Sequence, residues 1–463
     1  METDHIQHLY FRAGFGIDPK TLGSLTSKSR SFVVKQLFEK SQQTTPLKLD
    51  LSEFESYLNL DNRRLKPDPD EIDLKALQKK SREKIMELNY RWIERMVTSD
   101  AVLAEKMTLF WANVFVCQDN NIWYIQRYNS TLREHALGNF RNFVKAIARE
   151  ASMSKYLNNR QNVKASPNEN FARELMELFT LGIGNYTEND IKESARAFTG
   201  WSFKINGDFF LRPFKHDDGI KTFMGKTGNF DGDDIIDIIC EQKQCARFIC
   251  EKIYRYFVNP TLDEAHLKTL TELFYKDYDI KNLMQYIFSS DWFYETKNRG
   301  TKIKSPIELL VGIQKIVPLT FDKPLQLLYI QRIMGQVLLY PPNVAGWKED
   351  RNWIDSNTLM FRMKLAAILL NNEIINVDEK GAFEDDFEMY YKRQANKKRL
   401  LKVTKYWNVF ETNYGHLSPQ NLKEILIISP IDKDTERFLA NLEIKNNKEF
   451  CIQLMSIPEY QLC

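Results

Sequence analysis

Apolar residues recur at helical spacing along most of the chain. Between Ile72 and Val97, the residues Leu74, Leu77, Ile85, Leu88, Trp92 and Met96 form a stripe close to the 3.6-residue period. Ala101–Val116 is more apolar throughout and predicts a buried helix. Thr131–Ala151 reads as one amphipathic helix through Leu132, Ala136, Phe140, Phe143 and Ile147. Two helix starts carry capping chemistry. Ser305-Pro306-Ile307-Glu308 places Ser at the N-cap, Pro at the first helical position and Glu at the third, and Thr187-Glu188-Asn189-Asp190 repeats the arrangement with Asp. One hairpin signal stands out, Trp201–Phe210, where Asn206-Gly207 suits a type I′ turn. The pattern predicts a mainly α fold: a multi-helical body with one small β-hairpin near residues 201–210.

Leu60–Asp73 (LDNRRLKPDPDEID) is charged, holds two prolines and suits a linker. Asn376–Leu400 is polar and charged as well. These stretches divide the chain into an N-terminal helical region (1–60), a main helical body (73–375) and a C-terminal helical region (376–463).

Composition narrows the function classes. Hydrophobic residues make up 43% and charged residues 27%, which excludes intrinsic disorder. Only 18 Gly and 15 Pro in 463 residues favour helices over a many-stranded sandwich. Lys and Arg total 65 against 62 Asp and Glu, so no strongly basic surface points to nucleic acid. No apolar run reaches the ~18 residues of a membrane span. The opening METDHIQHLYFRAGFG lacks the basic-then-apolar order of a secretory signal, so a cytoplasmic location is expected. The six cysteines form neither a disulfide framework nor a zinc spacing. Cys240, Cys245 and Cys250 would splay around a helix, and we read them as idle buried thiols.

The densest chemistry lies between Asn158 and Trp201. A helix through Phe171, Leu175, Leu178 and Phe179 has one apolar face, and its other face carries Arg173, Glu174 and Glu177. Paired carboxylates one turn apart can hold a hard cation or divide acid and base roles. The plain alternative is a solvated face with an Arg173–Glu177 pair. A second helix shows Asp190, Glu193 and Arg196 after a short connection, so the two polar faces could share a cleft. His216-Asp217 follows in a glycine-rich loop and suits a general base or metal ligand. The acidic run Asp231–Asp234 lacks the spacing of a calcium loop and equally suits a helix cap. No G-x-S-x-G elbow, P-loop or H-E-x-x-H occurs. In Leu338–Asp355, Trp347 and Trp353 could stack on a sugar or cover a cleft, with core packing as the alternative.

Taken together, these motifs resemble a known family. HLYFRAGFG near the start, EKMTLFW (Glu105–Trp111), PNENFARELMELFTLG (Pro167–Gly182), YTENDIKESARAFTGW (Tyr186–Trp201), the His216-Asp217 loop, KSPIELLVG (Lys304–Gly312) and YPPNVAGW (Tyr340–Trp347) are similar to the bacterial domain-of-unknown-function family numbered 1800. The likeness runs from about His8 to the C-terminus, where Met455–Leu462 also fits. It implies a mostly helical bacterial protein, often encoded beside a sulfatase- or phosphatase-like partner. Two departures matter. Where members commonly show His-Asn-His, this chain has Ala112-Asn113-Val114, and Phe179 stands where many have His.

Two expectations follow. In the first, the protein is a hydrolase for a polar or anionic substrate such as a glycan, phospho-ester or sulfo-ester. Glu174, Glu177, His216 and Asp217 would be catalytic, and Arg173, Arg196 and Trp347 would bind substrate. Glu174 or Glu177 should then lie within about 10 Å of His216 or Asp217. In the second, a binding or accessory protein has lost the family's histidines. No tightly held metal is expected, and at most a weak Mg2+ or Ca2+ on Glu174, Glu177, Asp217 or the Asp231–Asp234 run.

Overall fold

A computed structural model describes residues 1–42, 44–55, 74–371 and 402–463. The expected linker Leu60–Asp73 and the polar stretch Asn376–Leu400 lie outside the described residues. The structure is 63% helical. No helix among the described residues is long and apolar enough to cross a membrane.

One apolar cluster gathers side chains from Ile6 to Tyr460. The first helix, α1 (Thr3–Arg12), contributes Ile6 and Leu9 to it. It also meets the C-terminal segment, where Gln7 donates to the carbonyls of Glu424 and Ile425. Helix α2 (Leu74–Thr98) carries the stripe read from the sequence, with Ile85, Leu88, Trp92 and Met96 buried. Helix α3 (Val102–Val114) is buried along nearly its whole length.

The single helix expected over Thr131–Ala151 is two helices, α4 (Ile122–His135) and α5 (Phe140–Ala148). Gly138 and Asn139 break it, and the Asn139 side chain caps α5 by accepting from Asn142 N. The apolar period crosses the break because Leu132, Ala136, Phe140, Phe143 and Ile147 all enter the same core.

The motif helix α6 (Asn170–Glu174) runs on as a π-helix over Leu175–Thr180. The Thr180 hydroxyl donates to the Leu175 carbonyl at 2.6 Å, and the Leu181 and Gly182 amides both reach the Met176 carbonyl. Helix α7 (Glu188–Ala197) begins with the expected capping box of Thr187 and Asp190.

The expected hairpin forms from β1 (Trp201–Phe203) and β2 (Phe209–Leu211), but its turn is different. Gly207 takes a positive φ and Asn206 does not. Gly207 N donates to the Lys204 carbonyl and Lys204 N to the Asp208 carbonyl. This is the longer loop with one left-handed residue, not a two-residue I′ turn. The two-residue turn occurs next, between β3 (Lys221–Phe223) and β4 (Lys226–Gly228), where Met224 and Gly225 both have positive φ. A third pair joins β5 (Leu319–Phe321) to β6 (Val403–Lys405). The expectation of one hairpin therefore grows, among the described residues, to three small two-stranded sheets on a helical body.

Helix α8 (Gly232–Cys240) starts with an Asp231–Asp234 capping box. Cys240 ends this helix, while Cys245 and Cys250 lie on α9 (Lys243–Phe257). The three thiols are thus not spread around one helix. Cys240 and Cys245 are close enough to interact, and all three are buried. Helix α10 (Pro306–Ile316) begins with the expected Ser305–Glu308 box, and α11 (Pro324–Met334) ends at Gly335.

Candidate functional site

The carboxylates of the motif helix sit in unlike surroundings. Glu177 accepts the Tyr186 hydroxyl at 2.7 Å. Burial, and then this bond, push the Tyr186 hydroxyl up to about 12. Glu174 is half-buried and makes no hydrogen bond among the described residues. Its pKa is raised, first by burial and then by the charge of Glu177, with Arg173 opposing. Arg173 does not pair with Glu177. It grips Glu188 at 3.1 and 3.2 Å and Glu169 at 3.3 Å. Arg173 thereby ties α6 to the first turn of α7.

The loop after β2 is fastened to the other end of α7. Arg196 holds Asp217 with two nitrogens, at 2.8 and 3.2 Å, and Glu193 with a third. The Arg196 hydrogen bond keeps the Asp217 carboxyl below its ordinary range. His216 is buried, and its Nδ1 lies 2.7 Å from the Thr199 carbonyl. The nearest acid to its Nε2 is the exposed Asp218, at 4.0 Å. Arg173 and Arg196 thus serve opposite ends of α7, with contacts eight residues apart, or about 12 Å along the axis. No hydrogen bond or ion pair among the described residues joins Glu174 or Glu177 to His216 or Asp217. In the acidic run, Asp231 and Asp234 cap α8 and Asp233 pairs with Arg149.

Position 113 keeps the asparagine of the motif that lacks its histidines, and it is well used. Asn113 Oδ1 accepts the Trp347 backbone N–H at 2.7 Å, and its Nδ2 donates to Glu349 at 2.9 Å. Gly346 has φ +85, and any Cβ there would collide with Asn113 Oδ1. Trp347 is buried and its ring N–H has no partner among the described residues. Ala112 and Val114 are buried, and Phe179 lies edge-on to Phe115 at 5.6 Å.

A family described as "Protein of unknown function (DUF1800)" matches residues 8–462. The chain belongs to the DUF1800 family. No curated protein and no solved structure matches it.

Two more DUF1800 motif segments meet in charge networks that periodicity did not reveal. Glu105 and Lys106 are adjacent on α3, and both are buried. Glu105 accepts from Arg133 at 2.8 and 3.1 Å and from the Trp92 ring N–H at 3.2 Å. Lys106 pairs with Glu308, which also accepts from Lys302 and from Ser305 N, each at 2.6 Å. Burial lowers Lys106 to about 8. Burial alone would raise Glu308, but Lys106 and Lys302 hold it well below its ordinary value. Charged residues inside an otherwise apolar segment are the signal that marks them, since such groups are rarely buried unless paired.

Among the described residues, the His, Asp and Glu side chains whose ligand atoms converge within 4.8 Å are Glu2, Asp4 and His5. That group includes none of the expected ion ligands. Its Asp4 is already paired with Arg299.

Proposed function

We propose that this DUF1800 protein is a non-catalytic binding or accessory protein for a polar or anionic ligand. The internal use of its motif groups carries this reading. Glu177 is taken by Tyr186, Asp217 by Arg196, and Arg173 by Glu188 and Glu169. The ring of His216 is docked on the Thr199 carbonyl. The Arg173 guanidinium and the Asp217 carboxylate must give up these contacts before they can meet a substrate, whereas His216 keeps Nε2 open. Positions 112, 114 and 179 carry apolar side chains packed inside, with nothing to ligate or titrate. In the accessory form of this reading, the partner is the sulfatase- or phosphatase-like protein that the family resemblance implies.

One observation favours a hydrolase instead. Glu174 is unpaired, half-buried and raised in pKa beside the anchored Glu177. Two carboxyl groups in contrasting settings are how one site provides both acid and base. A panel of chromogenic glycosides, phosphate esters and sulfate esters separates the two readings, with melting temperature and product followed together. The binding reading expects a ligand that raises the melting temperature and is recovered intact. Turnover by the native chain that Glu174→Gln abolishes would overturn it and establish the hydrolase.

A further inference from the structure

A cavity of about 270 Å3 lies beside the YPPNVAGW loop, against Asn113 and Leu109 of α3. Lys302 and Ser305 reach it from the lead into α10, Tyr256 from α9 and Gln336 from the end of α11. Lys348 stands at its exposed side.

The charge behind this cavity is unbalanced. Lys106 and Lys302 share the single carboxylate of Glu308. Lys304, Arg12 and Arg362 are buried close by, and Asp350 is a further carboxylate whose charge reaches Arg12. Five buried cations therefore face the carboxylates of Glu308 and Asp350, with Glu349 at the cavity's exposed side. Buried charge left without a counter-ion is strongly unfavourable, so such an excess calls for an anion.

The cavity also holds donors with unused capacity. The Tyr256 hydroxyl is buried and turned toward Glu308, an acceptor that already takes Lys106, Lys302 and Ser305 N, without a well-aligned hydrogen bond to it. Lys302 lies 3.7 Å from the centre of the Tyr256 ring, and Glu308 occupies one of its three N–H groups. The Gln336 oxygen accepts Ile307 N, which leaves its amide hydrogens unused. Lys348 makes no ion pair among the described residues. The lining carries further charge of both signs. Arg255 is spent on Glu251 and the Pro260 carbonyl, and Glu349 accepts from Asn113. Asp350 stands on the same loop segment as Lys348, in a left-handed backbone conformation at φ 48.

We propose that this cavity binds the phosphate or sulfate group of a small ligand. Lys302, Tyr256 and Gln336 are the inner donors, and Lys348 closes over the outer oxygens. Charge-assisted bonds of this kind are about twice as strong as neutral ones. The site uses none of the residues between Asn158 and Asp217, so it stands whether or not Glu174 is catalytic.

Calorimetry and thermal melting with inorganic phosphate and with sulfate test the site, using chloride at equal ionic strength as the reference. The native chain should show a saturable rise in melting temperature with the oxyanion. Lys348→Gln, on the surface, and Tyr256→Phe, which keeps the ring, should each weaken binding by about tenfold or more. Lys268→Gln, an exposed lysine elsewhere, should leave it unchanged. Three results would overturn the proposal: no saturable effect, equal affinity in folded Lys348→Gln and Tyr256→Phe, or equal weakening by Lys268→Gln. A response to neutral monosaccharides in place of phosphate would also overturn it.

Discussion

At Gly346 a backbone of positive φ meets a side chain that leaves no room for a Cβ. Gly346→Ala must break the Asn113 clasp or strain the turn, at a cost of about 2–3 kcal/mol. Urea unfolding measures this directly. Asn113→Ala should cost about 1–3 kcal/mol, because it leaves the Trp347 amide and Glu349 without their partner. Glu174 gives a prediction of opposite sign. Its pKa is raised in the folded chain, so the native state is penalised once the carboxyl ionises. Below the ordinary carboxylate range both states are protonated and the penalty vanishes. Glu174→Gln should therefore raise the melting temperature by about 1 °C at pH 7 and leave it unchanged near pH 3. The group is half-exposed, so solvent screening keeps the effect small.

Elements whose chemistry is local were legible in the sequence. The boxes at Thr187 and Ser305 each close within four residues, and both form as written. Thr187→Ala should cost about 1–2 kcal/mol through the lost cap of α7, and amide exchange should speed up first in residues 188–191. Breaks inside a continuous apolar period were less legible. Helices α4 and α5 bury one shared stripe, so Gly138-Asn139 gave the only sign of the corner between them. The residue pair Asn206-Gly207 predicted a hairpin correctly and its turn type wrongly, while Met224-Gly225 formed the tight turn without that signature. Pairing of β5 with β6 joins residues some eighty positions apart, where no local rule applies. The same holds for the site. Arg173 was read against Glu177, its neighbour on the helix, but its partner Glu188 lies across a loop. The arrest of Asp217 by Arg196 and the burial of Lys106 against Glu308 are long-range events that helical spacing cannot show.

Across the whole molecule, the Lys106–Glu308–Lys302 group ties two family motifs into one core. Glu308→Gln strips the counter-charge from two buried lysines and should cost about 3–5 kcal/mol. The acid arm of stability should change with it. A carboxyl held below its ordinary value of 4.5 gives full stability above that pH and loses it as pH falls further. Melting temperature should fall more steeply below pH 4.5 in the native chain than in Glu308→Gln. The same long-range closure has a consequence for how the chain is made. Lys302 pairs its backbone with Cys463, Lys304 donates to the Gln461 carbonyl, and Gln7 on α1 waits for Glu424. A ribosome delivers these partners long after Lys106. At roughly 5–20 residues per second, Lys106 emerges about 10–40 s before Glu308, and for that interval its charge must stay in water. The nascent chain then carries apolar helices that cannot yet close around it. It needs shelter until the partners at 424–463 arrive, and synthesis stalled before them leaves a product for proteases.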